Sequence, residues 1–276
     1  IVRANRKIGL GVMGFADMLI QLSIPYNSNE AVETGEHVMK FISEKAKEKS
    51  KELAQEKSSF PNFELSIFAE KGDPAQRNAT LTTIAPTGTI SIIANTSSGI
   101  EPLFAIAYIR NVMDNTELME VNPYFKEVAK NRGFFSENLM REIAKNGSIQ
   151  DIDGIPDDVK KIFITAHDIA PGWHIRMQAA YQKFVDNAVS KTVNLPHIAT
   201  PEQVKEVYNL AYELGCKGVT IYRDGSKRTQ VLNIGSVGKE KIKADPNLIE
   251  DLKLRLDGEF FTVDSEYAGG CPTCGV

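Results

Sequence analysis

Residues 190–223 constrain the fold of this chain more than any other stretch. Lys191-Thr192-Val193-Asn194-Leu195 alternates like a strand and is closed by Pro196. Thr200-Pro201-Glu202-Gln203 then supplies a helix N-cap, a proline at the first helical position and a glutamine at the third, the pattern of a capping box. Val204, Val207, Tyr208, Ala211 and Leu214 recur at helical spacing, and Gly215 stands where a glycine ends a helix. Gly218-Val219-Thr220-Ile221-Tyr222 is a second strand candidate. Strand, capped helix and strand within about 33 residues make a βαβ crossover. Its strands must be parallel, because a crossover rather than a tight turn joins them. A parallel sheet needs helices over its faces, so the expected class is α/β.

The rest of the chain offers those helices. Ala31, Val32, Gly35, Val38, Met39, Ile42 and Ala46 predict a long amphipathic helix over 28–57, with Lys and Glu on its other side. Further helices are expected over 123–130, 137–145, 157–166 and 172–189. The last carries Trp173, Met177, Ala180, Tyr181, Phe184 and Ala188 on one face. Leu81–Ala85 reads as a short buried strand stopped by Pro86. Beyond Arg223 charges and glycines dominate with little periodicity, apart from a short helix candidate at 248–256.

Composition excludes several classes. With 42% hydrophobic and 25% charged residues the chain is globular, not disordered. A net charge of −4 argues against a surface that coats nucleic acid. Arg3, Arg6 and Lys7 precede an apolar stretch, but Asp17 interrupts it and no small-residue cleavage site follows. Ile8–Ile24 is 17 residues long and contains Asp17, Gln21 and Ser23, too short and too polar to span a membrane. Three cysteines call for no disulfide framework, which fits a cytoplasmic protein. The chain opens on Ile1 rather than Met, as a processed protein or a piece of a longer one would.

Two places could carry chemistry. Pro86-Thr87-Gly88-Thr89-Ile90-Ser91 follows a strand candidate and leads into Ile92-Ile93-Ala94. Backbone N–H groups of such a turn can converge on an anion, Gly88 permits close approach, and Thr87, Thr89 and Ser91 add hydroxyls. It is not a Walker A loop, since no Lys-Ser/Thr pair follows the glycine, and an ordinary strand-to-helix turn uses the same residue types. Cys271-Pro272-Thr273-Cys274 can exchange disulfides or supply half of a zinc site. No second cysteine pair completes four ligands, and His37, His167, His174 and His197 are scattered. Cys216, at a helix-to-strand junction, is expected to be a small buried residue. His167, Asp168 and His174 are taken as structural, and spacing assigns no role to Asp17, Glu101 or Asp224.

Five ordered segments together resemble one family. They are Ile8–Asp17, Arg77–Ser91, Ser97–Pro102, Ser190–Pro196 and Gly215–Ser226. The chain from Ile8 to Leu232 resembles the large subunit of ribonucleotide reductase, most closely the adenosylcobalamin-dependent (class II) enzymes. The resemblance implies the C-terminal portion of a ten-stranded α/β barrel over residues 1–232, followed by a flexible polar tail over 233–276. It implies that the Thr87, Gly88, Thr89, Ile90, Ser91 loop holds substrate phosphates. It also implies radical reduction of ribonucleoside di- or triphosphates to deoxyribonucleotides, started by adenosylcobalamin through a finger-loop thiyl radical. Cys271 and Cys274 would relay electrons from a thioredoxin-like reductant, and the family often forms homodimers. No nucleic-acid or membrane partner is expected.

The departures matter as well. No Asn-x-Cys-x-Glu pattern, the family's thiyl motif, occurs here, so this chain alone is expected to lack turnover. Class I subunits carry adjacent tyrosines in the final strand, whereas Val219-Thr220-Ile221-Tyr222 has none adjacent. Two alternatives stay open: a nucleotide-phosphate module with a zinc-ribbon-type tail, and a class I-type subunit needing a separate radical generator.

Overall fold

A computed structural model describes residues 1–112 and 116–226. Its first half contains helices α1 (Val2–Asn5), α2 (Phe15–Gln21), α3 (Asn29–Lys57), α4 (Ile67–Glu70) and α5 (Gly88–Ala94). An antiparallel hairpin follows, β1 (Ala107–Val112) with β2 (Thr116–Val121), in the register Ala107↔Val121. Then come α6 (Pro123–Asn131), α7 (Glu137–Asn146), α8 (Asp157–Ile162), α9 (Pro171–Gln182), β3 (Thr192–Leu195), α10 (Pro201–Glu213) and β4 (Thr220–Arg223).

The crossover is present as its sequence requires. β3 and β4 are parallel in the register Thr192↔Thr220 to Leu195↔Arg223. Both halves of the capping box form at α10: Thr200 Oγ1 accepts from the Gln203 N–H, and Gln203 Oε1 accepts from the Thr200 N–H. Val193, Leu195, Val207 and Ala211 bury together with Ile175 of α9.

The parallel arrangement extends beyond β3 and β4. Residues 8–10 run parallel to 80–83 through the Leu10↔Thr82 bridge. Residues 82–84 run parallel to 187–190 through Ile84↔Val189, and the latter segment leads directly into β3. Four extended stretches, 8–10, 80–84, 187–195 and 220–223, therefore lie side by side. The expected strand at Leu81–Ala85 is correctly placed, but its pairing is limited to single bridges.

Two predicted helices end early for the same reason. α8 stops at Ile162, and Thr165 then bridges Leu103 in parallel, with the Ala166 N–H bonding the Leu103 carbonyl at 2.8 Å. α9 stops at Gln182, and the chain from 187 joins the sheet. α9 also lacks the single apolar stripe expected of it: His174, Ile175 and every residue from Met177 to Gln182 are buried. It packs against α3, α10 and β3, which leaves Arg176 exposed while its other sides are covered. α3 comes close to α9 at Gly35, where a Cβ would stand 2.7 Å from the Tyr181 ring. The hairpin β1–β2 was not foreseen.

α3 matches its predicted limits. Ser28 caps its start by accepting from the Ala31 N–H, and Arg77 Nη1 donates to the carbonyls of Lys57 and Ser58 at its end. Ala31, Gly35 and Met39 form its buried line, continued by Ser43, Ser50 and Ala54. The proposed tail over 233–276, the helix at 248–256 and Cys271 and Cys274 lie outside the described residues.

Candidate active site

In sheets of this kind ligands bind beyond the carboxyl ends of the strands. Here those ends deliver Gly11–Gly14, the loop after Ala85, the turn after Leu195, and Asp224-Gly225 after β4. The last two are joined, as the Asp224 N–H bonds the Leu195 carbonyl at 2.9 Å and His197 Nδ1 meets the Asp224 carbonyl at 3.1 Å. A carbonyl only accepts, so Nδ1 carries the proton there. Arg223 Nη1 donates to the His197 carbonyl at 2.9 Å.

The predicted loop residues are brought together at the start of α5. Thr87 takes a left-handed conformation, φ 53°, and the first bond of α5 runs from the Ser91 N–H to the Thr87 carbonyl at 2.9 Å. The N–H groups of Gly88, Thr89 and Ile90 consequently have no acceptor within the helix. Thr89 and Ile90 are exposed, and Thr87 and Gly88 half-buried. Ser91 is different. It is buried, and its hydroxyl contacts the Gly88 carbonyl at 2.9 Å and Ser98 Oγ at 2.7 Å, so it holds the loop closed. Thr87 Oγ1 accepts from the Gly99 N–H at 2.8 Å, which leaves its own O–H available.

The segment returning from α5 is held at both ends by carboxylates. Asp17 is buried, and one of its oxygens accepts from Thr96 Oγ1 and the Ser97 N–H, each at 2.7 Å. The Gly14 N–H donates to the Ser97 carbonyl at 2.7 Å. At the other end Glu101 accepts from Lys191 Nζ at 2.5 Å and from the Thr192 N–H at 2.6 Å. Lys191 is fully buried, and its Nζ also lies 3.0 Å from His174 Nδ1 and 3.3 Å from the Thr192 carbonyl. His174 Nε2 faces the Ala166 carbonyl at 3.1 Å, so that nitrogen bears the proton and Nδ1 accepts from the lysine. Burial first, and the Lys191 charge second, push the His174 pKa down to about 3, which keeps the ring neutral. Burial lowers the Lys191 pKa, against the raising influence of Glu101.

Sequence reasoning assigned none of Asp17, Glu101, Lys191 and His174 to a site. Apart from the Ala166 and Thr192 carbonyls, the partners described lie 17 to 91 residues away, beyond any spacing rule. One signal was available: Lys191 shares strand phase with Val193 and Leu195, where an apolar residue is expected. Cys216 is half-buried and burial raises its pKa, which disfavours the thiolate and fits a structural residue. His167 is half-buried with its ring edge-on to Phe104.

Residues 2–222 match the family described as ribonucleotide reductase, barrel domain. The chain belongs to the ribonucleotide reductase barrel family. It is similar to the vitamin B12-dependent ribonucleoside-diphosphate reductase of Thermoplasma acidophilum, 48% identical over 273 residues, which cover 99% of this chain and 35% of that relative. The protein so named from Mycobacterium tuberculosis (strain CDC 1551 / Oshkosh) is 45% identical over 269 residues, covering 98% of this chain and 36% of the relative. Among solved structures, the class Id ribonucleotide reductase alpha subunit of Actinobacillus ureae superposes with a TM-score of 0.69 at 26% identity, covering 81% of this chain and 40% of that one. The reductase barrel chain thus spans about a third of the length of these sequence relatives. The expected α/β barrel class is borne out, and the Thr87–Ser91 loop and the Glu101–Lys191 pair both lie inside the matched reductase barrel segment.

Proposed function

We propose that this chain forms part of the catalytic barrel of a vitamin B12-dependent ribonucleotide reductase, converting ribonucleotides into 2′-deoxyribonucleotides for DNA precursor synthesis. The observation that carries it is the 48% identity over 273 residues to a relative of that name. The same name favours ribonucleoside diphosphates as substrates. Since the chain spans 35% of that relative, the activity belongs to the full-length protein, and this piece alone is inactive.

In this reading the Thr87–Ser91 loop receives the substrate phosphates. The N–H groups of Gly88, Thr89 and Ile90, which have no acceptor within the helix, and the Thr87 hydroxyl are the donors, and Ser91 keeps the turn closed. Reduction replaces the 2′-hydroxyl by hydrogen, releases water and converts two thiols into a disulfide, so each turnover consumes one dithiol. Cys271 and Cys274, on the polar tail over 233–276, would return electrons by thiol–disulfide exchange with a thioredoxin-like reductant. The cytoplasm supplies such a dithiol, and among the described residues no helix is long and apolar enough to cross a membrane.

Adenosylcobalamin supplies the radical that starts the reaction. A corrin brings its own nitrogen ligands, so the protein need not cage the metal. Among the described residues no group of three His, Cys, Asp or Glu side chains is gathered. This chain's share of the contact would be the half-buried face of β3, Thr192 and Asn194, opposite the buried Val193 and Leu195.

The test is ribonucleoside diphosphate reduction by the full-length protein with a dithiol, with and without adenosylcobalamin. Deoxyribonucleotide formation that requires the cofactor and no second protein is expected. Activity that waits for a separate radical-generating subunit would overturn the B12 assignment, and no reduction under either condition would overturn the function.

A further inference from the structure

Lys191 is a charged residue in a core position. Its side chain is 0% exposed, at the strand phase of Val193 and Leu195. A buried ammonium is costly unless each N–H is paired, and a well-packed apolar side chain commonly replaces a buried ion pair at no loss. Packing alone therefore does not account for a lysine here. All three of its N–H groups have acceptors: Glu101 Oε2, His174 Nδ1 and the Thr192 carbonyl. The Tyr26 ring covers it at 5.7 Å, and the Tyr26 hydroxyl donates to the Ile100 carbonyl, the residue before Glu101.

The arrangement leads from the strand to the loop in short steps. Lys191 and the Thr192 N–H fix the carboxylate of Glu101. Two residues earlier, the Gly99 N–H is bonded to Thr87 Oγ1, and Ser98 Oγ contacts Ser91 Oγ. Gly99 has φ +49°, and a Cβ there would stand 3.3 Å from the Ala85 carbonyl, so this leg lies tight against the start of the loop. Asp17 holds the opposite end of the same leg at Thr96 and Ser97. The leg is thus pinned at 96–97 and at 101, and the loop hangs from the residues between.

We propose that Lys191 is a positioning residue for the Thr87–Ser91 loop, acting through Glu101. The proposal rests on the phosphate-binding reading of that loop. Lys191 touches no substrate; it sets where the loop's N–H groups point relative to the sheet's carboxyl end.

Inorganic pyrophosphate, as a competitor of the ribonucleotide in the full-length enzyme, reads out the loop. Lys191→Met is expected to raise its inhibition constant about tenfold, the scale of one lost charge-assisted hydrogen bond. That variant also leaves the Glu101 carboxylate without its cation and lowers the melting temperature. The double variant Lys191→Met/Glu101→Gln removes both charges, so it regains melting temperature while the pyrophosphate constant stays raised. Recovery of both together would mean that Lys191 only neutralises Glu101, and overturns the proposal, as does an unchanged constant in Lys191→Met. If Lys191→Met is too unstable to assay, the double variant decides alone: a raised constant supports positioning, and a wild-type constant overturns it. Gly88→Val, measured in parallel, separates the two claims. If it too leaves the constant unchanged, the phosphate reading itself has failed. If it raises the constant where Lys191→Met does not, positioning alone has failed.

Discussion

Gly14 offers a quantitative test of how the return segment is clamped. It precedes α2 with φ +80°, and a Cβ there would lie 2.5 Å from Thr96 Oγ1 but 3.7 and 3.9 Å from Thr96 Cβ and Cγ2. The clash is therefore with the hydroxyl alone, the group that donates to Asp17 at 2.7 Å. Gly14→Ala should cost about 1–2 kcal/mol for a left-handed residue with a Cβ. It should cost a further ~1.5–3 kcal/mol as Thr96 Oγ1 is driven off the Asp17 carboxylate. Thr96→Ala loses only that second contribution. The double variant removes the clashing atom, so it should be no less stable than Gly14→Ala alone, a coupling of about 2 kcal/mol between the sites. Urea unfolding of the four proteins, followed through the single tryptophan, Trp173, which packs against the main core, measures the cycle. Additivity within about 0.5 kcal/mol would refute the argument that Gly14 is required by Thr96.

Three further outcomes are expected. Thr200→Ala breaks the capping box of α10 and should cost about 1 kcal/mol in urea unfolding, with no effect on pyrophosphate binding. His174 has a folded pKa of about 3 against 6.5 for an unperturbed imidazole, so the unfolded chain binds the extra proton as pH falls. Stability is then complete above about pH 6.5 and declines by about 1.4 kcal/mol per pH unit down to about pH 3; His174→Gln should reduce that slope, and an unchanged slope would place the titration elsewhere. In the full-length enzyme, Cys271→Ser with Cys274→Ser should permit one turnover with a thioredoxin-like donor and block the next, and sustained turnover would exclude the relay.

The cluster around Lys191 shows why much of the site was hidden in the sequence while its scaffold was legible. Thr87–Ser91 could be placed at a strand-to-helix turn because glycine, proline and hydroxyl residues mark turns locally. What the hydroxyls do there was not local: Ser91 is consumed by Ser98, and Thr87 accepts from Gly99, because the return segment folds back over the turn. Lys191 was visible as a residue out of phase with its polarity, but its partners Glu101 and His174 come from the leg after α5 and from α9.

The sequence by itself determined the parallel crossover, the long α3 and the caps of α10, since each rests on hydrogen bonds and apolar spacing within a few residues. The ends of α8 and α9 and the joining of residues 8–10, 80–84 and 187–195 were decided only in three dimensions. A backbone leaves helix for extended structure where a distant segment offers its N–H and C=O groups better partners, and that offer exists only once the chain has folded. The same holds for charge: a buried lysine is tolerable only where tertiary structure brings a carboxylate, an imidazole and a carbonyl to its three N–H groups.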